Sequence, residues 1–327
     1  MKKEYKTIDL FAGVGGIRLG FEKAGFKTAY ANDFNKNCKN TYDVNHKEPK
    51  LHVEDINKLE IKQLPEFDIL LGGFPCQPFS IAGYRQGFKD DKDRGNLFFR
   101  IADIIRERKP RAIMLENVKN LKGHDNGNTF KVIEKTLKEI GYHLKAEVLN
   151  GMTHGNVPQN RERIFIVGFL DKVKAEAFKF PEPIKLTKSF REFVAEEAED
   201  KYYYNNKPLY EKIKNDINSE HIVYQWRRKY VRANKKGVVP TLTANMGRGG
   251  HNVPIIKNSK GIRKLTPKEC FMLQGFPKTF KLPDDLPDTE LYHQAGNSVV
   301  VPVVQRIAEN IKIVLDGGRI NPQKSLF

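Results

Sequence analysis

Asp68-Ile69-Leu70-Leu71-Gly72-Gly73-Phe74-Pro75-Cys76-Gln77-Pro78-Phe79-Ser80 joins a short apolar run to a cysteine set between two prolines. The run has the length and composition of a buried strand. Proline fixes its own φ and restricts the residue before it, so the thiol leaves that strand on a stiff turn. It therefore sits at the carboxyl end of a strand, the edge where open α/β sheets bind ligands. A second apolar run, Ala112-Ile113-Met114-Leu115, ends in Glu116-Asn117-Val118. A nucleophile and a carboxyl group at neighbouring strand ends predict an enzyme.

Working outward, the first half of the chain alternates strands with helices. Strands are expected over Thr7 to Phe11, Thr28 to Ala31, Leu51 to Val53, Asp68 to Leu71, Ala112 to Leu115, His143 to Leu149 and Ile164 to Phe169. Helices are expected over Ile17 to Lys23, Asn96 to Arg108 and Thr129 to Ile140. In the second helix Leu97, Ile101, Ile104 and Ile105 share one face; the third has Asn128 as a candidate N-cap and Gly141 as its stop. This alternation predicts an α/β, mostly parallel sheet with helices on both faces.

The pattern changes after Phe180-Pro181-Glu182-Pro183, where Tyr, Asn, Lys and Gly become frequent. Short β pieces, Val238 to Thr243 and Val253 to Ile256, flank the cluster Gly247-Arg248-Gly249-Gly250. Regular alternation resumes at Thr266-Pro267-Lys268-Glu269, with Thr266 as cap and Pro267 at the first helical position. A last helix, Val299 to Leu315, is expected to return to the first domain. The expected division is 1–183, 184–262 as a smaller, mostly β or irregular domain, and 263–327.

The chain has 327 residues and a formal net charge of +17. Such an excess favours polyanionic partners, because each neutralised phosphate releases a counterion. Cys38, Cys76 and Cys270 are odd in number and widely spaced, which fits neither a metal cluster nor a disulfide framework and points to a reducing compartment. The N-terminus shows no apolar signal core and no run long enough to span a bilayer, so a cytoplasmic location is expected.

Asp9-Leu10-Phe11-Ala12-Gly13-Val14-Gly15-Gly16 follows the first strand and precedes a helix. Its glycines let backbone approach a ligand closely, although their spacing is not the dinucleotide fingerprint. Asp33 follows the second strand, where an acidic side chain can accept ribose hydroxyls; Asp55 follows the third. The local pattern is that of an adenosine-containing cofactor site, with a tight turn and solvated carboxylates as the plainer alternative.

Five segments in order now carry a resemblance: Asp9-Leu10-Phe11-Ala12-Gly13, Gly73-Phe74-Pro75-Cys76-Gln77, Glu116-Asn117-Val118, Gln159-Asn160-Arg161-Glu162-Arg163 and Gln294-Ala295-Gly296-Asn297-Ser298. Together they resemble the bacterial DNA (cytosine-5)-methyltransferases, of the small restriction–modification type. The resemblance implies a Rossmann-like catalytic domain, S-adenosyl-L-methionine as methyl donor and a target-recognition domain where the composition shifts. It implies that Cys76 adds to carbon 6 of a flipped cytosine, that Glu116 acts at N3, and that Arg163 reaches the base and Glu116. Arg161 would support the pocket or a phosphate; both arginines are two apart at a strand start and so are expected on one face. Cofactor contacts carry over to Phe11, Gly13, Val14, Asp33, Asp55, Ile56, Pro75, Asn297 and Ser298. Asp33 departs from the family's usual glutamate by one methylene. No metal is expected, since the chemistry needs no Lewis acid.

The stretch Gln77 to Arg94 resembles the family's catalytic loop, expected to close over the extruded base, with Gln77 and Ser80 touching the target nucleotide. Tyr224-Gln225-Trp226-Arg227-Arg228-Lys229-Tyr230-Val231-Arg232 mixes cations with aromatics, and Thr241-Leu242-Thr243-Ala244-Asn245-Met246-Gly247-Arg248 resembles the family's recognition signature. Arg227, Arg228 and Arg248 are base-reading candidates, and Gln225 a candidate to fill the vacated base position. The recognition segment resembles those acting on GCNGC. The partner is double-stranded DNA, with a cognate restriction endonuclease acting on the same site without direct contact, in a monomer near the bacterial nucleoid. Two alternatives stand beside this reading: a transfer-RNA cytosine-5 methyltransferase, and a non-catalytic cofactor-binding DNA protein.

Overall fold

The computed structural model describes residues 4–75, 97–234, 236–247 and 253–320. They fall into two compact units. Of the described residues, the first comprises those within 4–149, 162–181 and 305–320; the second comprises those within 150–161 and 182–304.

The first unit is built on a seven-stranded sheet of order β3-β2-β1-β4-β5-β7-β6. Its strands are β1 (Lys6–Leu10), β2 (Lys27–Asp33), β3 (His52–Val53), β4 (Ile69–Gly73), β5 (Ala112–Val118), β6 (His143–Asn150) and β7 (Glu162–Phe169). From β3 through β5 every pairing is parallel. β5 is buried over six consecutive residues; because successive side chains point to opposite faces, both faces of the sheet are covered there. Ile8, Leu10, Leu70, Ile113, Leu115, Ile164 and Ile166 pack with Phe98, Ile101 and Ile105 of the helix Leu97–Arg108 and with Ile133 and Leu137 of the helix Asn128–Ile140.

One pairing departs from the expected parallel order and matters for the site. β7 runs antiparallel to β5, with Val118 opposite Arg163. The reversal brings the start of β7 to the same sheet edge as the carboxyl ends of β4 and β5. Local boundaries also shift. β1 ends at Leu10 because Phe11 takes a left-handed φ of 56°, which no strand accommodates. Asn128 is the first helical residue, and Gly127, in the left-handed region, holds the N-cap position; Gly141 closes that helix as expected.

The second unit carries a four-stranded antiparallel sheet of order β11-β10-β8-β9, made of β8 (Val223–Trp226), β9 (Val231–Asn234), β10 (Ile255–Asn258) and β11 (Gly261–Lys264). Tyr204, Ile213, Ile217, Tyr224, Ile255 and Ile262 form its apolar core. The expected strand from Val238 to Thr243 does not form: Val239 makes a single parallel bridge to Gln159, and Pro240 supplies no N–H to extend it. The piece expected from Val253 starts two residues later. Thr266 caps the helix Pro267–Met272 in a capping box with Glu269, as its sequence implied.

The final helix spans Val301–Leu315, and its residues from Gln305 onward belong to the first unit. The Lys174 ammonium donates to the carbonyls of Val314 and Leu315 at 3.1 and 3.2 Å, answering acceptors that a helix end leaves open. Among the described residues no helix is long and apolar enough to cross a membrane.

Candidate active site

Glu116 ends the buried part of β5, in register with Gly73 of β4. Arg163, at the start of antiparallel β7, sets its Nε 3.1 Å from Glu116 Oε1. The two side chains are only 11% and 16% exposed, so water screens the pair weakly. Burial pulls the Arg163 guanidinium below its ordinary value, and the Glu116 charge opposes that pull. Arg163 Nη1 also donates to the Glu162 carbonyl at 2.8 Å, which fixes the plane of the fork. Lys119 bridges both oxygens of Glu162 at 3.0 and 2.9 Å on the exposed rim.

Asn117 was not singled out from sequence. Its Nδ2 donates to the Phe74 carbonyl at 2.9 Å and its Oδ1 accepts from Val118 N–H at 2.8 Å. It thereby ties the carboxyl end of β5 to the residue before Pro75, which is itself exposed. Its position directly after Glu116 was the available signal. Cys76, Gln77, Ser80 and the stretch Gln77 to Arg94 lie outside the described residues. A buried carboxyl group with a guanidinium on one oxygen offers a planar heterocycle a donor beside an acceptor.

At the carboxyl ends of β1 and β2, the glycine loop is held by Asp33, whose carboxylate accepts from the backbone N–H groups of Gly13 and Asn35 at 2.8 Å each. Burial raises its pKa while those hydrogen bonds lower it. A carboxylate has about four lone-pair sites, so acceptor capacity remains for hydroxyls. An ideal Cβ on Gly13 meets nothing within 4 Å, so the loop faces open space there. Gly15 is required for a different reason: a Cβ would lie 2.2 Å from His46 Nε2. Burial, with Arg18 nearby, pushes the His46 pKa down to about 4, and the neutral ring donates to the buried Val14 carbonyl at 3.3 Å.

Arg18 anchors the helix behind this loop. Its backbone N–H donates to Asp9 Oδ2 at 3.2 Å, and its guanidinium donates to Tyr42, Glu48, Pro49 and Glu22. Asp9 is wholly buried, and burial pushes its pKa up to about 7. Asp55 is exposed and caps the turn Ile56–Lys58 by accepting from Asn57 N–H at 3.0 Å; the Ile56 side chain lies in the core. The residue missed here is Phe34. Its ring is 76% exposed directly after Asp33, and an aromatic following an acidic residue at a strand end was the signal.

In the second unit, Arg161 is buried and precedes β7 rather than sharing its face with Arg163. Its Nη1 donates to the Leu242 carbonyl at 2.6 Å, and its Nη2 donates to the carbonyls of Gly296, at 2.9 Å, and Ser298. Gly296 packs against the backbone of Thr243 and Ala244 so closely that a Cβ would lie 2.2 Å from Thr243 C and O. Thr241 Oγ1 donates to the Asn160 carbonyl at 2.6 Å. Asn297 ends the helix Asp288–Asn297 with an exposed side chain, 2.8 Å from His293 Nε2, and Ser298 is its buried C-cap.

The hairpin between β8 and β9 presents Arg227, Arg228, Lys229 and Tyr230 to solvent, with Arg228 at a left-handed φ of 65°. Gln225 is not among these exposed residues. It is 7% exposed within β8, paired in register with Arg232. Arg248 lies outside the described residues.

A mostly parallel sheet with a glycine loop after its first strand, and an acid–guanidinium pair at the carboxyl ends of β4 and β5, has the architecture of an α/β group-transfer enzyme. The chain belongs to the family described as C-5 cytosine-specific DNA methylase, whose model matches residues 5–313. It is 54% identical over 307 residues to the Type II methyltransferase M.Bsp6I of Bacillus sp. (strain RFL6), covering 92% of this chain and 96% of that one. To the Type II methyltransferase M.HaeII of Haemophilus aegyptius it is 42% identical, covering 94% and 92%. The crystal structure of a Spodoptera frugiperda DNMT2 mutant matches with a TM-score of 0.73 at 21% identity, over 94% of this chain and 99% of that one, a likeness of fold. The protein is thus a DNA (cytosine-5-)-methyltransferase, with DNA as its substrate.

Proposed function

We propose that the protein methylates carbon 5 of cytosine in a short GC-containing duplex site, GCNGC, by extruding the base and adding Cys76 to carbon 6. The observation that carries this reading is the Glu116–Arg163 pair, 3.1 Å apart at the strand ends, with Glu116 in register with Gly73 just before Phe74-Pro75. Carbon 5 of cytosine is a weak nucleophile until a thiolate adds at carbon 6, and thiolates are effective nucleophiles even as a minor fraction. As the S–C6 bond forms, the ring's double-bond electrons move toward carbon 5, N3 and O2. Glu116 shares a proton at N3, and Arg163 both donates at O2 and holds the Glu116 carboxyl in place. Carbon 5 then takes the methyl group. Water or hydroxide removes its proton, and the electron pair re-forms the double bond and expels the Cys76 thiolate.

S-Adenosyl-L-methionine, which the family implies, supplies the methyl group on a sulfonium when bound. The residues present fit it: open space at Gly13, acceptor capacity at Asp33 and the exposed ring of Phe34, with Phe11, Val14 and Ile56 as further proposed contacts. Asp55, Pro75, Asn297 and Ser298 complete the proposed contacts. Phe34 offers its face to the adenine. Base–aromatic stacking is worth ~1–3 kcal/mol, so Phe34→Ala is expected to raise KM for the cofactor roughly tenfold with kcat within about twofold. Steady-state kinetics at saturating DNA would show it, and an unchanged KM would remove Phe34 from the site.

Residues 1–183 are proposed as the catalytic domain, 184–262 as the recognition domain and 263–327 as the segment returning to the first. The cations at the hairpin tip, Arg227 and Arg228 among them, are proposed to meet DNA, with Arg248 in the same role. A monomer in the bacterial cytoplasm, sharing its site with a restriction endonuclease that it does not touch, completes the proposal. With six phosphate contacts, DNA affinity should fall ~10³-fold between 50 and 200 mM salt. A flat response in a fluorescence-anisotropy titration would contradict phosphate-dominated binding.

The deciding experiment incubates the pure protein with methyl-labelled S-adenosylmethionine and either duplex DNA or transfer RNA, followed by bisulfite mapping. Label in DNA at one short site is expected. Label confined to RNA would overturn the proposal. A duplex carrying 5-fluorocytosine should trap the protein covalently, because the final elimination is blocked; no adduct at saturating cofactor would exclude the thiolate route.

A further inference from the structure

Arg161 joins two segments that the proposed function assigns to different ligands. Its guanidinium is buried and gives one nitrogen to the Leu242 carbonyl, inside the recognition segment Thr241–Gly247. Its other terminal nitrogen serves the carbonyls of Gly296 and Ser298, on either side of the proposed cofactor residue Asn297. The side chain is 2% exposed and is turned toward main chain rather than solvent. Its donors are directed at main-chain acceptors 81 and 137 residues away in sequence. The same seam is closed by Gly296 against Thr243–Ala244 and by Thr241 against the Asn160 carbonyl.

A planar fork bonded on both sides transmits position. The guanidinium is the direct hydrogen-bonded link from Leu242 to the carbonyls on either side of Asn297. We propose that Arg161 is a positioning residue which couples DNA engagement by the recognition segment to cofactor engagement by the Gly296–Ser298 turn. The coupling is reciprocal, as any equilibrium linkage must be: DNA tightens cofactor binding by the same factor by which cofactor tightens DNA binding. The inference rests on the function proposed above.

The test measures the Kd of S-adenosylhomocysteine by calorimetry, with and without the duplex site that bisulfite mapping identifies. The wild type is expected to bind it at least tenfold more tightly with the duplex present. In Arg161→Lys, whose single ammonium cannot reproduce the fork, the ratio should fall below twofold while both ligands still bind. A merely structural arginine predicts a lower melting temperature and weaker binding of each ligand with the ratio preserved; that outcome overturns the proposal. So does a wild type whose ratio is near one. A wild type that binds no S-adenosylhomocysteine at all would defeat the function proposed above and this inference with it. Thr241→Val, at an exposed position on the same seam, serves where Arg161→Lys does not fold. It should lower the ratio two- to fourfold, and an unchanged ratio there counts against the coupling.

Discussion

Cys76→Ala is expected to lower methyl transfer by at least ~10⁴-fold while duplex affinity stays within a few-fold of wild type. Removing a covalent nucleophile typically has an effect of this size or larger, because no neighbouring group can replace the bond it forms. Glu116 and Arg163 would still be paired at the strand ends, so the variant should fold and bind the base. Glu116→Gln should fall less steeply, by about 10²–10⁴, the range of a positioned acid. Single-turnover methylation with labelled cofactor, set beside duplex binding, separates these outcomes. Substantial residual transfer in Cys76→Ala would eliminate covalent addition as the route. Loss of folding in that variant would make the thiol structural.

The second large effect lies far from the chemistry in kind. Arg263 is wholly buried, and its guanidinium meets both oxygens of Glu269 at 2.9 and 2.8 Å. Glu269 also accepts the N–H of Ala195 at 2.8 Å and of Thr266 at 2.7 Å. Each carboxylate oxygen thus has two donors. Replacing one partner leaves a buried, uncompensated charge, which costs about 3–5 kcal/mol. Glu269→Gln should therefore lower the melting temperature by roughly 10 °C, given about 2–4 °C per kcal/mol in a domain of this size. Replacing both partners together, as Arg263→Met with Glu269→Leu, should recover only part of the loss, because the charge is removed but the N–H groups of Ala195 and Thr266 lose their acceptor. A Glu269→Gln melt within ~2 °C of wild type, well below that scale, would show that the pair carries little stability.

Much of the first unit was readable because its central strands β1, β4, β5 and β7 are buried and so appear as continuous apolar runs. Strand direction was not: β7 has the same Ile-Phe-Ile-Val composition as a parallel strand. Only its antiparallel register with β5 explains why Arg163 reaches Glu116. The second unit was less legible. Val239 and Leu242 are buried, yet no strand forms over Val238 to Thr243, so a β-like composition there marked burial without an element. Arg161 misled for a related reason. Spacing by two implies a shared face only inside a strand, and Arg161 stands one residue before β7 begins. Its carbonyl partners, distant in sequence, leave no periodic trace. Phe34 was overlooked because one exposed aromatic carries no pattern.

The absence of a side chain at Gly296 limits how this scaffold can be redesigned. Its α-carbon lies flush with the main chain of Thr243 and Ala244, so any chimaera that imports a foreign segment in place of the proposed recognition stretch inherits a steric condition from the C-terminal part of the host. A donor loop with a different backbone path would strike the host or leave a void, whatever bases its side chains recognise. Successful grafts should therefore exchange the loop and the Gln294–Ser298 turn together, as one inseparable cassette.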